Sequence, residues 1–161
     1  MSKPDFAFNA QQQKWYDAAC ARIDEARLKQ LIFDLTARHS PTGAERAASE
    51  FMVEYKDLPQ AGREMRADML PEPYIDGDLV IGLGASNPKS MVSLITEAAQ
   101  CIVEANVELT GDVIVATAGG GMPWIVAERN NAGISNGVSH LLSHGVAPDF
   151  GIIVKPWDEV Y

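Results

Sequence analysis

Several residue groups in this chain have types and spacings that could do chemistry. The block Asp78-Leu79-Val80-Ile81-Gly82-Leu83-Gly84-Ala85-Ser86-Asn87-Pro88-Lys89 sets an amide and an ammonium just after a glycine-rich turn. Gly82-x-Gly84 superficially fits a dinucleotide-binding turn. The third glycine position is Asn87, however, and no acidic residue closes a second strand nearby, so nucleotide binding is set aside. Gly119-Gly120-Gly121 can cradle an anion through backbone amides, although a tight turn without a ligand is the preferred reading. His140 and His144 are four apart on an expected helix and point the same way. They form either a metal pair or, as preferred, a surface pair near a helix C-terminus, where positive charge is tolerated; no zincin pattern surrounds them. Lys155 offers an amine that a pocket could turn into a base. Asp158 and Glu159 could replace a displaced ligand but read better as solvated charges. Trp124 and Trp157 follow strand ends, where ligands bind in open α/β sheets; packing roles are preferred over substrate contacts.

The elements that must position these residues follow from periodicity and punctuation. Residues 1–10 read as a loose arm. Gln11 to Arg38 is helical, with Tyr16, Ala19 and Ile23 on one apolar row and Leu28, Leu31, Ile32 and Leu35 on another. Asp24, a good N-cap, marks a break between two helices. Ser40-Pro41-Thr42-Gly43 interrupts, and Thr42 with Glu45 has capping-box spacing for a helix to about Tyr55. Residues 56–77 show no clean period and read as irregular, with Asp76 and Asp78 flanking a turn at Gly77.

The second half is clearer. Leu79 to Leu83 is a short apolar strand. Asn87 or Ser86 is expected to cap a helix with Pro88 at its first position. Met91, Ile95, Ala98 and Ile102 form that helix's expected buried row, and Ser93, Glu97, Gln100 and Glu104 its wet face. Val113 to Ala116 is a continuous apolar strand. A helix around Val138, Leu141 and Leu142 ends at Gly145, and Phe150 to Val154 is a third strand. Strand, helix, strand, helix, strand implies parallel pairing with right-handed crossovers.

Four segments, in order, resemble the catalytic domain of the aminoacylase, acetylornithine deacetylase and succinyl-diaminopimelate desuccinylase family of metallopeptidases (peptidase family M-twenty). Leu28 to Glu45, ending in His39-Ser40-Pro41-Thr42-Gly43, resembles its opening helix and Ser-Pro-Thr-Gly turn. Gly82 to Lys89 resembles its Gly-Arg-Gly-Ala-x-Asp-x-Lys block. Thr110 to Ala116 resembles the strand leading to the catalytic glutamates. Asn136-Gly137-Val138 through Val154 resembles the helix and strand before its Glu-Pro-Thr. The resemblance implies a three-layer α/β domain with a mostly parallel sheet, like the zinc-peptidase catalytic domain, with the lid domain absent from this chain. It implies a hydrolase acting on an amide C–N bond of small acylated amino acids or similar compounds. In such enzymes two zinc-like ions acidify a water and a glutamate is the general base.

The resemblance also marks departures. The bridging aspartate falls on Asn87, and the paired catalytic glutamates fall in Gly119-Gly120-Gly121-Met122, on Gly120 and Gly121. The glutamate before Pro-Thr falls on Lys155. No histidine lies between Ser40 and Ser139 to supply the family's His-x-Asp ligand motif. An amide neither neutralises a dication nor takes a proton. Zinc or another divalent metal belongs to the family, whereas this chain is expected to hold none. The pocket candidates are Asn87, Lys89, Gly119, Gly120, Gly121, Lys155, Trp157 and Asp158. Two family strands have no counterpart between Tyr55 and the Gly82 block, so residues 56–77 are the expected site of a missing segment, and the chain reads as one partial catalytic-type domain. The alternative to a hydrolase is a metal-free pseudo-enzyme serving as a binding or interaction subunit.

Composition bounds these readings. With 161 residues, 47% of them apolar, the chain can bury a single core. A net charge of -9 repels phosphate, which argues against nucleic acid or an anionic membrane surface as partner. A small-molecule amide is the expected partner, and a homodimer is expected if a lid domain exists elsewhere. Cys20 and Cys101 read as two buried thiols. Few cysteines, a polar N-terminus and no long apolar run fit a reducing cytoplasm.

Overall fold

The computed structural model describes residues 7–38, 72–119 and 136–154. Helix α1, Ala10–Cys20, starts at a capping box: the Asn9 side chain accepts from the Gln12 backbone N–H at 2.9 Å, and the Gln12 side chain accepts from the Asn9 N–H at 3.0 Å. The chain breaks after Ile23 and restarts as α2, Glu25–Ala37, capped by Asp24 through the Arg27 N–H at 2.9 Å. The break expected at Asp24 is therefore present.

Strand β1, Tyr74–Asp76, and strand β2, Leu79–Ile81, pair antiparallel, with Tyr74 opposite Ile81 and Asp76 opposite Leu79. The two-residue turn Gly77-Asp78 joins them. Gly77 takes φ +56°, the positive value that such hairpin turns require at their first position. The turn reading of Asp76 and Asp78 holds, but Tyr74–Asp76 is a strand rather than irregular chain. Residues 56–71 lie outside the described residues, as does the helix expected from Thr42 to Tyr55.

After β2 the chain turns through Gly82-Leu83-Gly84 into a wide π-type turn, Ala85–Lys89, closed by the Lys89 N–H on the Gly84 carbonyl at 3.0 Å. Helix α3, Ser90–Glu104, follows and is the hub of the packing, touching α1, α2 and the π-type turn. Its buried side chains are Val92, Ser93, Glu97 and Cys101. This corrects the expected faces. Met91, Ile95 and Ile102 are half-buried, Ala98 is exposed, and two residues assigned to water, Ser93 and Glu97, are inside. Lys89, Ser93, Glu97 and Cys101 recur every four residues, so one row of the helix carries the polar interior. The capping expectation fails as well. Neither Asn87 nor Ser86 caps α3, because Asn87 is extended (φ -131°, ψ 114°) before Pro88 and the chain becomes regular helix only at Ser90.

Leu35 is fully buried on α2, beside the half-buried Leu28, Leu31 and Ile32, as that row predicts. Helix α1 buries no residue, and Cys20 is exposed, which corrects its reading as an interior thiol; Cys101 is buried as expected. Helix α4, Asn136–Ser143, closes at Gly145 with φ +91°. Among the described residues the sheet has two strands only. Val113 to Ala116 and Phe150 to Val154 form no ladder, and Phe150, Ile152 and Ile153 are 85–90% exposed. No helix among the described residues is long and apolar enough to cross a membrane.

Candidate functional site

The turn from Gly82 to Lys89 begins in close contact with α2. A Cβ added at Gly82 would meet Thr36 Cγ2 at 2.8 Å and Pro73 Cα at 3.1 Å, so only glycine lets α2 close on the hairpin there. Gly84 takes φ +80°, which side chains disfavour. Two residues apart, the glycines of the block thus serve two purposes: close approach and chain reversal. Lys29, also on α2, reaches the Gly77 carbonyl and Asp78 at 3.5 Å, clamping the hairpin turn.

On the Gly82–Lys89 turn, Asn87 is exposed and Lys89 is buried. The Asn87–Pro88 peptide is cis. The Lys89 ammonium donates to the Arg38 carbonyl at 3.3 Å, at the C-terminal end of α2, where the helix dipole favours a cation. Lys89 therefore ties the turn to α2 while Asn87 presents its amide to solvent. Gly119 is buried, and its carbonyl accepts from the Gly137 N–H at 3.3 Å. A Cβ at Gly137 would stand 2.6 Å from the Gly119 oxygen, so α4 begins in close contact with the Gly119 backbone. The other pocket candidates, Gly120, Gly121, Lys155, Trp157 and Asp158, lie outside the described residues, as do Trp124 and Glu159.

Two features escape the sequence reading. Thr117 Oγ1, two residues before Gly119, is buried with no hydrogen-bond partner among the described residues. Such a hydroxyl is a costly orphan unless water or a ligand satisfies it. The second is a charged cluster behind the turn. Arg27 grips Glu97 with two nitrogens, Nε to Oε2 at 2.7 Å and Nη2 to Oε1 at 2.8 Å, and its Nη1 reaches Glu104 at 2.9 Å. Glu97 also accepts from the Asp24 backbone N–H at 2.9 Å. The Arg27 hydrogen bonds outweigh burial and hold the Glu97 carboxyl down to about 2, against an ordinary 4.5. Arg27 is raised in turn, first by its bond to Glu97. Burial pushes the Cys101 thiol up, and the neighbouring Glu97 carboxylate adds to this. The available signal was Arg27 near the start of a helix, with Glu97 on the same four-residue row as the buried Cys101.

The donor set decides what the described turn can hold. Asn87 is neutral and Lys89 carries a positive charge, so the pair does not suit a dication. Among the described residues, no group of three or more His, Cys, Asp and Glu side chains is placed to hold a metal ion. An exposed amide instead donates and accepts at once, which matches the N–H and C=O of another amide. No family model, curated protein or solved structure matches the chain.

Proposed function

We propose that this chain is a hydrolase-family protein directed at the amide C–N bond of small acylated amino acids or similar compounds. The observation that carries the reading is the turn from Gly82 to Lys89. Its two glycines have separate physical roles and together present Asn87 at the end of a strand and the head of a long helix. The resemblance of four ordered segments to the aminoacylase type supports the same reading. With it goes a three-layer α/β fold in which Val113 to Ala116 and Phe150 to Val154 join β2 in a mostly parallel sheet. That pairing would cover the exposed Phe150, Ile152 and Ile153, a surface that water disfavours. The partner is then a small-molecule amide rather than nucleic acid or an anionic membrane, in keeping with the net charge of -9. Residence in the cytoplasm belongs to the same proposal.

The family's dication pair does not fit Asn87 and Lys89, a neutral amide and an ammonium. In this reading Asn87 binds and orients the substrate amide, and Lys89 fixes the turn against α2. The group that moves the proton is assigned to the segment carrying Lys155 and Asp158. A second reading has one observation in its favour, the amide at Asn87 where the family carries a carboxylate. Under it the chain is a metal-free pseudo-enzyme that binds the amide compound without cleaving it.

A single experiment separates the two. The chain is incubated with a panel of N-acylated amino acids, in chelator and in added zinc, while amine release and ligand binding are both followed. Release of free amine supports the hydrolase. Saturable binding without release transfers the case to the second reading, and neither binding nor release removes both.

A further inference from the structure

We propose that His140 and His144 form a surface site for a divalent transition-metal ion of the copper, nickel or zinc class, bound through the Nε2 atoms of the two imidazoles. The site stands apart from the amide chemistry and does not depend on it.

Four residues apart at the end of α4, the two side chains share one face. Both are exposed, and their ring centroids are 3.9 Å apart with planes tilted by 31°. The deciding feature is the orientation of His144. Its Nδ1 lies 2.8 Å from the His140 backbone carbonyl, with Ser143 Oγ at 3.2 Å. A carbonyl oxygen only accepts, so Nδ1 carries the proton in that hydrogen bond. The Nε2 lone pair is then left available to a ligand. A backbone carbonyl holding the far nitrogen is the support that metal-bound imidazoles usually have, because it fixes both ring and tautomer.

The rings now lie stacked, so binding requires them to turn apart until both Nε2 lone pairs converge on one ion at the usual ~2.0–2.1 Å; both side chains are exposed and at the end of α4, which leaves them room to do so. With imidazoles and no carboxylate in the pair, the site favours copper, nickel or zinc over magnesium or calcium, which prefer oxygen donors. Water completes the coordination shell. The net charge of -9 lowers the work of bringing in a dication.

The test uses the full chain. Zinc is titrated against a competing chromophoric chelator, for the wild type and for His140→Ala, His144→Ala and His39→Ala; a parallel nitrogen-proton correlation spectrum follows the imidazole nitrogens. One zinc per chain is expected from this face. His140→Ala and His144→Ala should each weaken it by at least about tenfold, and His39→Ala should not. Both Nε2 resonances should shift on zinc addition and neither on magnesium addition. Zinc affinity unchanged in both alanine variants, or imidazole resonances that stay put at saturating zinc, overturns the proposal. If a variant loses its fold, the wild-type spectrum decides alone.

Discussion

At Gly82 the atom nearest to an added Cβ is Thr36 Cγ2, at 2.8 Å, and Pro73 backbone lies just beyond. Gly82→Ala must push α2 away from the hairpin, at a cost of about 1–3 kcal/mol. Gly77→Ala meets open space and pays only for its positive φ, about 1 kcal/mol. Denaturant unfolding of the two variants should rank them in that order. Glu97 gives a pH prediction. Its folded value, about 2, lies below the ordinary 4.5, so the folded state holds its proton less tightly than the unfolded chain. The stability it contributes is complete above 4.5 and disappears as pH falls toward 2. Wild-type unfolding midpoints should therefore drop more steeply across that window than those of Glu97→Gln, and parallel curves would remove the carboxylate from the explanation.

Among the elements, α3 organises its neighbours. It holds α2 through the Arg27 cluster at its middle and, through Lys89 just before its first residue, again at the C-terminal end of α2. Leu35 is the fully buried apolar residue of α2, and Leu35→Ala should cost about 2–5 kcal/mol in denaturant unfolding. The helix break at Asp24, the turn at Gly77 and the existence of α3 were legible, because caps, glycines and hydropathy are local signals; the start of α3 and the strand before Gly77 were not. The buried row of α3 was not. Glu97 is interior only because Arg27, 70 residues earlier, neutralises it, and no local period records that pairing. Nor does any local pattern announce the π-type turn that displaces Asn87 from a capping position. What the sequence did mark was the Asn87 neighbourhood itself, as a turn between a strand and a helix.

Across the whole molecule, the apolar segments 113–116 and 150–154 need cover. Val113, Ile114, Phe150, Ile152 and Ile153 are exposed, and an apolar surface of that kind finds a strand or a helix to lie against. The parallel-sheet proposal predicts slow amide exchange at Val113 to Ala116 and Phe150 to Val154, measured by hydrogen–deuterium exchange of the full chain. Free exchange across both segments would remove that sheet. The central claim is that the Gly82–Lys89 turn serves amide recognition and cleavage, with Asn87 as its contact. The most direct measurement is amine release from N-acylated amino acids by the wild type and by Asn87→Ala, with the same mixtures run in chelator and in zinc. The account predicts release by the wild type and at least a tenfold loss in the variant, on the order of 1.4 kcal/mol or more of transition-state binding. Equal release by both proteins, or none from the wild type in either condition, would contradict it.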